Sequence, residues 1–268
     1  MKDETLSLIL SEKNNRNTII VATEINSGEQ IIINEKNDTD INNKILIAAK
    51  NNIIQGKSEI LEIESNKWFL NITLPPLRLI TVGAVHIAQP LAEIATISGY
   101  EVIIIDPRAA FANNQRFPDI KIINEWPEVA LNELGIDNRT AVVTLTHDPK
   151  LDDSALNAAL KSKAFYIGSL GSKKTHKARV QRLKIANFSD DEIKRIHGPI
   201  GLAIGAKSPQ EIAISIISEI ITIRNNKITI RPIAGTRPRG KNKKEDKFYE
   251  KDLLKDKKEL SEHLSLIH

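Results

Sequence analysis

A glycine turn that follows an apolar segment is the residue pattern with the clearest chemistry. Residues 77–82 (LRLITV) have the composition of a buried strand, and Gly83 and His86 follow them just before a helical pattern begins. In nucleotide-binding βαβ units, such a turn directs backbone amides toward an anionic ligand. The dinucleotide fingerprint expects glycine where this chain has Val85. A side chain at that position obstructs the close approach of a pyrophosphate. We predict an anion-binding turn at Gly83, where His86 either contacts the anion or caps the turn.

Charged and polar residues follow two further apolar segments. Asp106 and Arg108 follow the apolar segment 102–105, at the position where a dinucleotide fold places the acidic residue that contacts a ribose. The two residues are equally compatible with an ordinary surface ion pair. His147 and Asp148 follow another segment. Because ligands of open α/β sheets bind at the carboxyl ends of the strands, we predict that these residues contact a ligand. The spacing of His147 and Asp148 matches no established metal motif, so no metal site is predicted.

The strongest anion-binding pattern is a second glycine turn that runs into a basic helix start. It contains Gly168, Gly171, Ser172, Lys173 and Lys174. Unpaired backbone amides, hydroxyls and ammonium groups at a helix N-terminus are able to bind a phosphate. The spacing of the glycines and lysines is not that of the phosphate-binding loop of nucleotide hydrolases. The alternative is a tight turn followed by a solvated helix face. No catalytic triad or paired-carboxylate pattern can be assembled from the sequence, so no catalytic residue is predicted.

Alternating strand and helix patterns must position these turns. From residue 77 onward they predict an α/β fold, a Rossmann-like parallel sheet with helices on both faces. Asp152 or Asp153 is the expected cap of one helix, and Ser208 the cap of the last, which should end near Arg224. The predicted organisation is a small α+β domain over 1–76, a Rossmann-like domain over 77–226 and a basic tail over 227–268. Predicted strands cover 18–23, 30–34, 58–63, 68–72, 77–82, 102–105, 120–123, 141–145 and 164–167; predicted helices cover 41–54, 87–98, 127–134, 151–161, 172–186 and 209–224.

Composition excludes several classes of function. The 268 residues contain no cysteine, which excludes disulfides, thiolate metal sites and cysteine nucleophiles and is compatible with the cytoplasm, where we expect the protein. The net charge of +4 arises beyond residue 227, so the preceding region is formally neutral and no nucleic-acid groove is predicted. The first residues form no signal peptide, and no apolar run predicts a membrane span.

Four motifs together resemble the XdhC/CoxI family, the xanthine dehydrogenase accessory factors, over residues 77 to about 224. They are GAVHIA at 83–88, THD with LD at 146–152, YIGSLGS at 166–172 and PIGLAIGAKSPQEIA at 199–213. The resemblance implies a non-catalytic chaperone, expected as a homodimer. Such a chaperone binds molybdenum cofactor (molybdopterin), holds it while a cysteine desulfurase adds the terminal sulfur, and delivers it to a molybdenum hydroxylase. Val85 and Ala203 depart from the family pattern, and no cysteine sulfur of this chain can retain the cofactor.

A second resemblance covers only the end of the chain. Residues 231–240 (RPIAGTRPRG), with DLL at 252–254 and EHL at 262–264, resemble chorismate-binding enzymes such as the anthranilate synthase large component. About forty residues cannot build that large fold, so this segment is interpreted as a fused remnant. Two alternatives to the chaperone therefore stay open. One is an NAD(P)-binding oxidoreductase, suggested by the βαβ pattern and Asp106; the other is a remnant of a chorismate-using enzyme fused to an XdhC-like domain.

Overall fold

The computed structural model describes residues 3–34, 43–55, 58–63 and 65–225. The chain divides into two units, Met1–Lys227 and Ile228–His268. The second unit, which carries the chorismate-like motif and the predicted basic tail, lies outside the described residues. Both sheets lie in the first unit, and the predicted domain boundary at residue 76 stays a prediction.

A four-stranded antiparallel sheet forms the N-terminal part of the first unit. Its strand order is β2-β1-β4-β3, and apolar residues of one helix, among them Ile45 and Ala49, pack with Ile20 and Leu70 of the sheet. Strands and helix are therefore mixed as the α+β prediction requires. The elements are α1 (Asp3–Asn14), β1 (Ile19–Glu24), β2 (Gln30–Ile33), α2 (Asn43–Gln55), β3 (Glu59–Ile63) and β4 (Asn66–Thr73).

A six-stranded parallel sheet follows, in the order β10-β9-β8-β5-β6-β7. This arrangement confirms the predicted Rossmann-like α/β class. The sheet and its helices comprise β5 (Leu77–Val82), α3 (Ala88–Ile97), β6 (Tyr100–Ile105), β7 (Lys121–Ile123), α4 (Pro127–Leu134), β8 (Thr140–Thr144), α5 (Pro149–Leu160), β9 (Tyr166–Ser169), α6 (Lys173–Ile185), α7 (Asp190–Ile193), β10 (Ile196–His197) and α8 (Pro209–Arg224).

Helices cover both faces of this sheet. Successive side chains of a strand point to opposite faces, so Leu79 of β5 belongs to one apolar core and Ile80 to the other. The first core contains residues of α3 and α8, and the second contains residues of α4, α5, α6 and α7. Burial on both faces explains why the strands are continuously apolar rather than alternating.

Several elements differ from the sequence prediction. The prediction of Asp152 or Asp153 as a helix cap is wrong: α5 begins at Pro149, and its cap is Asp148, whose side chain accepts from the Lys150 amide at 2.9 Å. Asp152 is instead buried, with 2% exposure. The helices α1 and α7 and the two-residue strand β10 were not predicted, because they carry weak periodicity or are very short. Within the described residues, no helix has the length and apolarity needed to span a bilayer.

Candidate functional site

The site lies where the order of the parallel sheet reverses. From β5 the chain proceeds outward to β6 and β7, and it then returns to β8 on the other side of β5. In open α/β sheets, ligands bind beyond the carboxyl ends of the strands that flank such a switch point. The glycine turn at Gly83 follows β5, and the turn that contains His147 follows β8. These two predicted turns are therefore neighbours in the structure.

Gly83 is required at the switch point for both conformation and space. Its φ is +107°, a region that side chains disfavour. A β-carbon built on Gly83 would lie 2.6 Å from Cγ2 of Thr146, the residue that opens the turn after β8. The Gly83 amide donates to the Ile105 carbonyl at 2.8 Å. The chain can therefore leave β5 close to the neighbouring turn only because this residue has no side chain.

Asp106 joins the ends of β5 and β6. Its carboxylate is fully buried and accepts from the Ala84 amide at 2.9 Å and from Arg108 Nε and Nη2, each at 2.8 Å. Burial alone would raise the pKa of Asp106, but the hydrogen bonds from Arg108 and Ala84 outweigh burial and lower it. Both oxygens are thus engaged by the protein. The ribose contact considered from the sequence does not fit this geometry, because the carboxylate instead orients Arg108 and the Gly83 turn.

Arg108 reaches toward the turn after β8. Hydrogen bonds to Asp106 raise the pKa of Arg108, and the negative charges of Asp148 and Asp152 raise it further. The side chain of Arg108 is 39% exposed, so its guanidinium remains accessible from solvent. His86 is also exposed at the start of α3. The N-cap residue of α3 is Ile87, which makes no side-chain hydrogen bond, and the two roles considered for His86 stay predictions.

The turn after β8 holds His147 in an unusual conformation. His147 is exposed and has a φ of +62°, which non-glycine residues seldom adopt. The flanking residues fix it: the Asp148 amide donates to Thr146 Oγ1 at 3.0 Å, and Thr146 Oγ1 donates to Asp152 Oδ1 at 2.6 Å. Strained residues cluster at ligand sites when the surrounding structure holds them in place. His147 therefore lies, exposed, in a turn that packs against the Gly83 turn through Thr146.

The second glycine turn follows β9 at the same edge. Gly171 has a φ of +143°, and Ser172 caps α6 by accepting from the Thr175 amide at 3.1 Å. Ser172, Lys173 and Lys174 are exposed. Gly168 has a different role, because a β-carbon there would collide with the Ile200 side chain inside the core. Gly168 is therefore a packing residue, whereas residues 171–174 present amides and ammonium groups to solvent.

The two glycine turns lie at one edge of the sheet. β5 and β9 are separated only by β8, and adjacent strands lie about 4.8 Å apart, so the strand ends that carry Gly83 and Gly171 are about 10 Å apart. The Leu145 amide donates to the Val82 carbonyl, and the Leu170 amide donates to the Thr144 carbonyl. The backbone hydrogen bonds of the sheet therefore continue beyond the strand ends toward both turns. An extended ligand with an anionic end can therefore contact both turns.

Sequence reasoning missed a buried ion pair that joins two of the turns. Arg179 of α6 is 2% exposed, and its Nη2 donates to the Leu170 carbonyl at 2.8 Å and lies 3.8 Å from Asp152 Oδ2. Burial raises the pKa of Asp152, while Thr146 and Arg179 oppose this effect. The pair connects the turn after β9 to the turn after β8. No signal in a single sequence indicates that residues 27 positions apart form this contact.

A second missed cluster holds the glycine-rich segment 198–205. Glu219 of α8 accepts from the Tyr166 hydroxyl and, at 2.8 Å, from the Gly201 amide. His197 Nδ1 lies 3.4 Å from Glu219, and the His197 ring stacks on that of Tyr166 with centroids 4.7 Å apart. Burial would raise the pKa of Glu219, but hydrogen bonds from His197, Tyr166 and Gly201 lower it. The cluster thus fixes the loop that follows β10.

These turns form a surface suited to anion binding. Within residues 3–34, 43–55, 58–63 and 65–225, no three His, Cys, Asp or Glu side chains are grouped as metal ligands. The groups presented at the carboxyl edge are backbone amides, two exposed imidazoles, a guanidinium and two ammonium groups. Such groups bind phosphate and other oxyanions by charge-assisted hydrogen bonds.

Comparison with known proteins finds two families. The XdhC Rossmann domain family matches residues 79–220, and the chorismate binding enzyme family matches residues 207–268. Anthranilate synthase component 1 of Cereibacter sphaeroides is 54% identical over 48 residues, which are 18% of this chain and 10% of that protein. Both predicted resemblances are therefore confirmed.

Two curated relatives match the Rossmann-like region. A probable xanthine dehydrogenase subunit of Bacillus subtilis is 33% identical over 162 residues, 60% of this chain and 47% of that protein. The molybdenum cofactor insertion chaperone PaoD of Escherichia coli is 32% identical over 150 residues, 56% of this chain and 41% of that protein. The matched regions thus span less than half the length of these relatives.

A solved structure shares the fold. The crystal structure of a xanthine dehydrogenase (BH1974) from Bacillus halodurans has a TM-score of 0.62 and 25% identity, and the match covers 83% of this chain and 67% of that chain. A match to 83% of the chain is longer than the Rossmann-like region alone. The likeness therefore extends beyond the parallel sheet.

Proposed function

The chain belongs to the XdhC family, and we propose that it is an accessory factor that binds molybdenum cofactor as cargo and passes it to a molybdenum hydroxylase of the xanthine dehydrogenase type. Two relatives, an insertion chaperone and a probable xanthine dehydrogenase subunit, support this role. The observation that carries the proposal is the pair of glycine turns at one edge of the sheet. Their amides and cations lie at the edge of the sheet that contains the switch point, and this is the position that we assign to a phosphorylated pterin.

The turn after β9 binds the phosphate of the cargo. The first amides of α6 have no acceptor within the helix, and the positive end of the helix dipole favours an anion. Lys173 and Lys174 add two ammonium groups at the same position, and Gly171 and Ser172 complete the turn. The capping hydrogen bond from the Thr175 amide to Ser172 Oγ holds this turn in place.

The pterin end of the cargo binds at the switch point. Gly83 allows the turn after β5 to pack closely against Thr146 of the turn after β8, and His86 and His147 are exposed residues of these two adjoining turns. Arg108 and Asp148 supply a donor and an acceptor for the polar edge of the pterin. The buried carboxylate of Asp106 orients Arg108, and Gly168 acts only through packing.

Sulfuration requires a partner. These 268 residues contain no cysteine, so no thiolate of this chain coordinates the molybdenum or carries the sulfur. A cysteine desulfurase therefore supplies the terminal sulfur while the accessory factor, as a homodimer, holds the cofactor. The chain acts by binding and transfer rather than by catalysis.

The proposal is tested by cofactor retention. The full chain is purified from a host that makes molybdenum cofactor, and the bound pterin is oxidised to its fluorescent form and quantified. We expect near-stoichiometric pterin, and at least tenfold less after Lys173→Ala/Lys174→Ala, because two charge-assisted contacts to the phosphate are lost.

A matched control removes the same charge from the opposite edge of the sheet. Lys161 and Lys163 lie just before β9, so Lys161→Ala/Lys163→Ala should retain the pterin. Protein that binds no pterin but whose melting temperature rises with NADH would overturn the proposal in favour of a nicotinamide-dependent oxidoreductase.

A further inference from the structure

A cationic cavity lies at the amino edge of the parallel sheet, opposite the proposed cofactor site. Its volume is about 310 Å³, which is at the lower end of the range for small-molecule sites. The lining residues come from the starts of β5, β8 and β9 and the end of α8. They are Leu77, Asn138, Arg139, Phe165, Ile223 and Arg224.

The two arginines of this cavity donate hydrogen bonds to neutral oxygen acceptors. Within the described parts of the chain, no carboxylate lies at ion-pair distance from Arg139 or Arg224. Arg139 donates from Nε to the Pro75 carbonyl, and Arg224 donates from Nη1 to the Tyr100 hydroxyl at 3.3 Å. Burial raises the pKa of Tyr100, so its phenol stays neutral and cannot balance the charge of Arg224.

The nearby carboxylates are already paired with a third arginine. Arg16 Nη1 lies 2.8 Å from Glu101, and Arg16 Nε lies 2.9 Å from Asp137. Burial lowers the pKa of Arg139, and the positive charges of Arg16 and Arg224 lower it further, although Asp137 opposes them. Arg139 and Arg224 line the same cavity, so an anion bound there would be attracted by both guanidinium groups.

Apart from Asn138, the rest of the cavity lining is apolar. Phe165 supplies an aromatic ring, and Leu77 and Ile223 supply aliphatic side chains. The end of α8 contributes a partial negative charge of about half a unit, which two full guanidinium charges outweigh. Two guanidinium groups can bind a carboxylate, and an aromatic ring with two aliphatic side chains can pack against a small ring. The cavity is therefore complementary to a ligand that has one small ring and one carboxylate.

We propose that the amino-edge cavity binds a small cyclic organic carboxylate between Arg139 and Arg224, with its ring against Phe165. The site lies at the opposite end of the strands from the turns assigned to the cofactor, so it does not depend on the proposed function. Asn138 supplies a further polar group beside the carboxylate.

The test uses 4-fluorobenzoate as the probe and ¹⁹F NMR of the full chain as the measurement. We expect saturable binding of 4-fluorobenzoate, with 4-fluorobenzyl alcohol, which has the ring without the charge, at least tenfold weaker. Arg224→Gln should weaken 4-fluorobenzoate binding at least tenfold, because a charge-assisted hydrogen bond is lost. Arg182→Gln is the matched control, since Arg182 pairs with Asp153 away from the cavity and its loss should leave binding unchanged.

Two results would overturn the proposal. One is equal binding of the acid and the alcohol by the unmodified protein, which shows that the cations do not contribute. The other is unchanged affinity for 4-fluorobenzoate in both Arg224→Gln and Arg139→Gln. If Arg224→Gln does not fold, the comparison of acid with alcohol and the Arg139→Gln variant decide the question.

Discussion

Gly83 and Thr146 approach each other so closely at the switch point that a β-carbon on Gly83 would lie 2.6 Å from Thr146 Cγ2. The two residues follow the ends of neighbouring parallel strands, β5 and β8. Their contact brings the glycine turn and the turn of His147 together. The same contact limits which side chains either position tolerates.

Gly83→Ala should destabilise the protein by about 2–5 kcal/mol, because the positive φ costs about 1–2 kcal/mol and overpacking adds about 1–3 kcal/mol. The measurement is urea unfolding. Gly99→Ala is the matched control, because Gly99 also has a positive φ, +83°, but open space around it; it should cost only the conformational part. Thr146→Ser, which removes Cγ2 and keeps the hydroxyl, should partly rescue Gly83→Ala. Equal costs at Gly83 and Gly99 would contradict the steric argument.

His147→Gly should stabilise the protein by about 0.5–1 kcal/mol while it weakens pterin retention, because glycine relieves the strain of a φ of +62° but removes the imidazole. Thermal unfolding and pterin content are the two measurements. Asn187→Gly is the control, since Asn187 has a similar φ of +65° after α6, away from the site. Asn187→Gly should change stability without changing pterin content. Loss of pterin in both variants would show that His147 does not contact the cofactor.

Asp106→Asn should cost about 2–3 kcal/mol near neutral pH, because the amide keeps one acceptor oxygen but loses the negative charge and replaces the other acceptor with a donor that faces Arg108 or Ala84. The folded-state pKa of Asp106 is lowered. Its stabilising contribution is therefore complete above the unfolded pKa of about 3.9 and is lost as the pH falls through the folded pKa. Urea unfolding of both proteins between pH 7 and pH 3 should show the difference shrinking at the acid end.

The control for this pH dependence is Asp153→Asn. Asp153 pairs with Arg182 near the surface, where ion pairs contribute at most about 1 kcal/mol. A cost at Asp153 as large as that at Asp106 would show that burial of Asp106 is not the cause.

Glu219→Ala should loosen the loop that contains Gly201, because the Gly201 amide and the buried Tyr166 hydroxyl both lose their acceptor. Deuterium exchange of a peptide spanning residues 198–205 should become faster. Glu219→Gln keeps an acceptor oxygen and should preserve most of the protection. If exchange in Glu219→Ala matches that of the unmodified protein, the loop is held by other contacts, such as the Leu202 amide to the Ser215 carbonyl.

Much of the parallel-sheet architecture was predictable from local patterns. Buried strands such as Leu77–Val82 are continuous apolar runs, and helices such as α8 have recognisable ends. Ser208 and Glu211 form the capping box expected from their spacing, and α8 ends at Arg224 as predicted. The predicted cap of α5 was wrong because Asp148, Asp152 and Asp153 are all residues of a type that caps helices. Only their distance from the first helical turn distinguishes them.

The sequence by itself determined the glycine turns, the parallel-sheet class and the family motifs, because these depend on residues within one turn or one strand of each other. Tertiary structure alone decided that Asp106 accepts hydrogen bonds from Arg108 and Ala84 and that Asp152 forms an ion pair with Arg179. It also decided that Glu219 accepts a hydrogen bond from Tyr166, which lies 53 positions earlier in the chain. The amino-edge cavity is likewise formed by residues distant in the chain. Such contacts depend on strand order and helix packing, which bring together side chains whose separation in sequence carries no periodic signal.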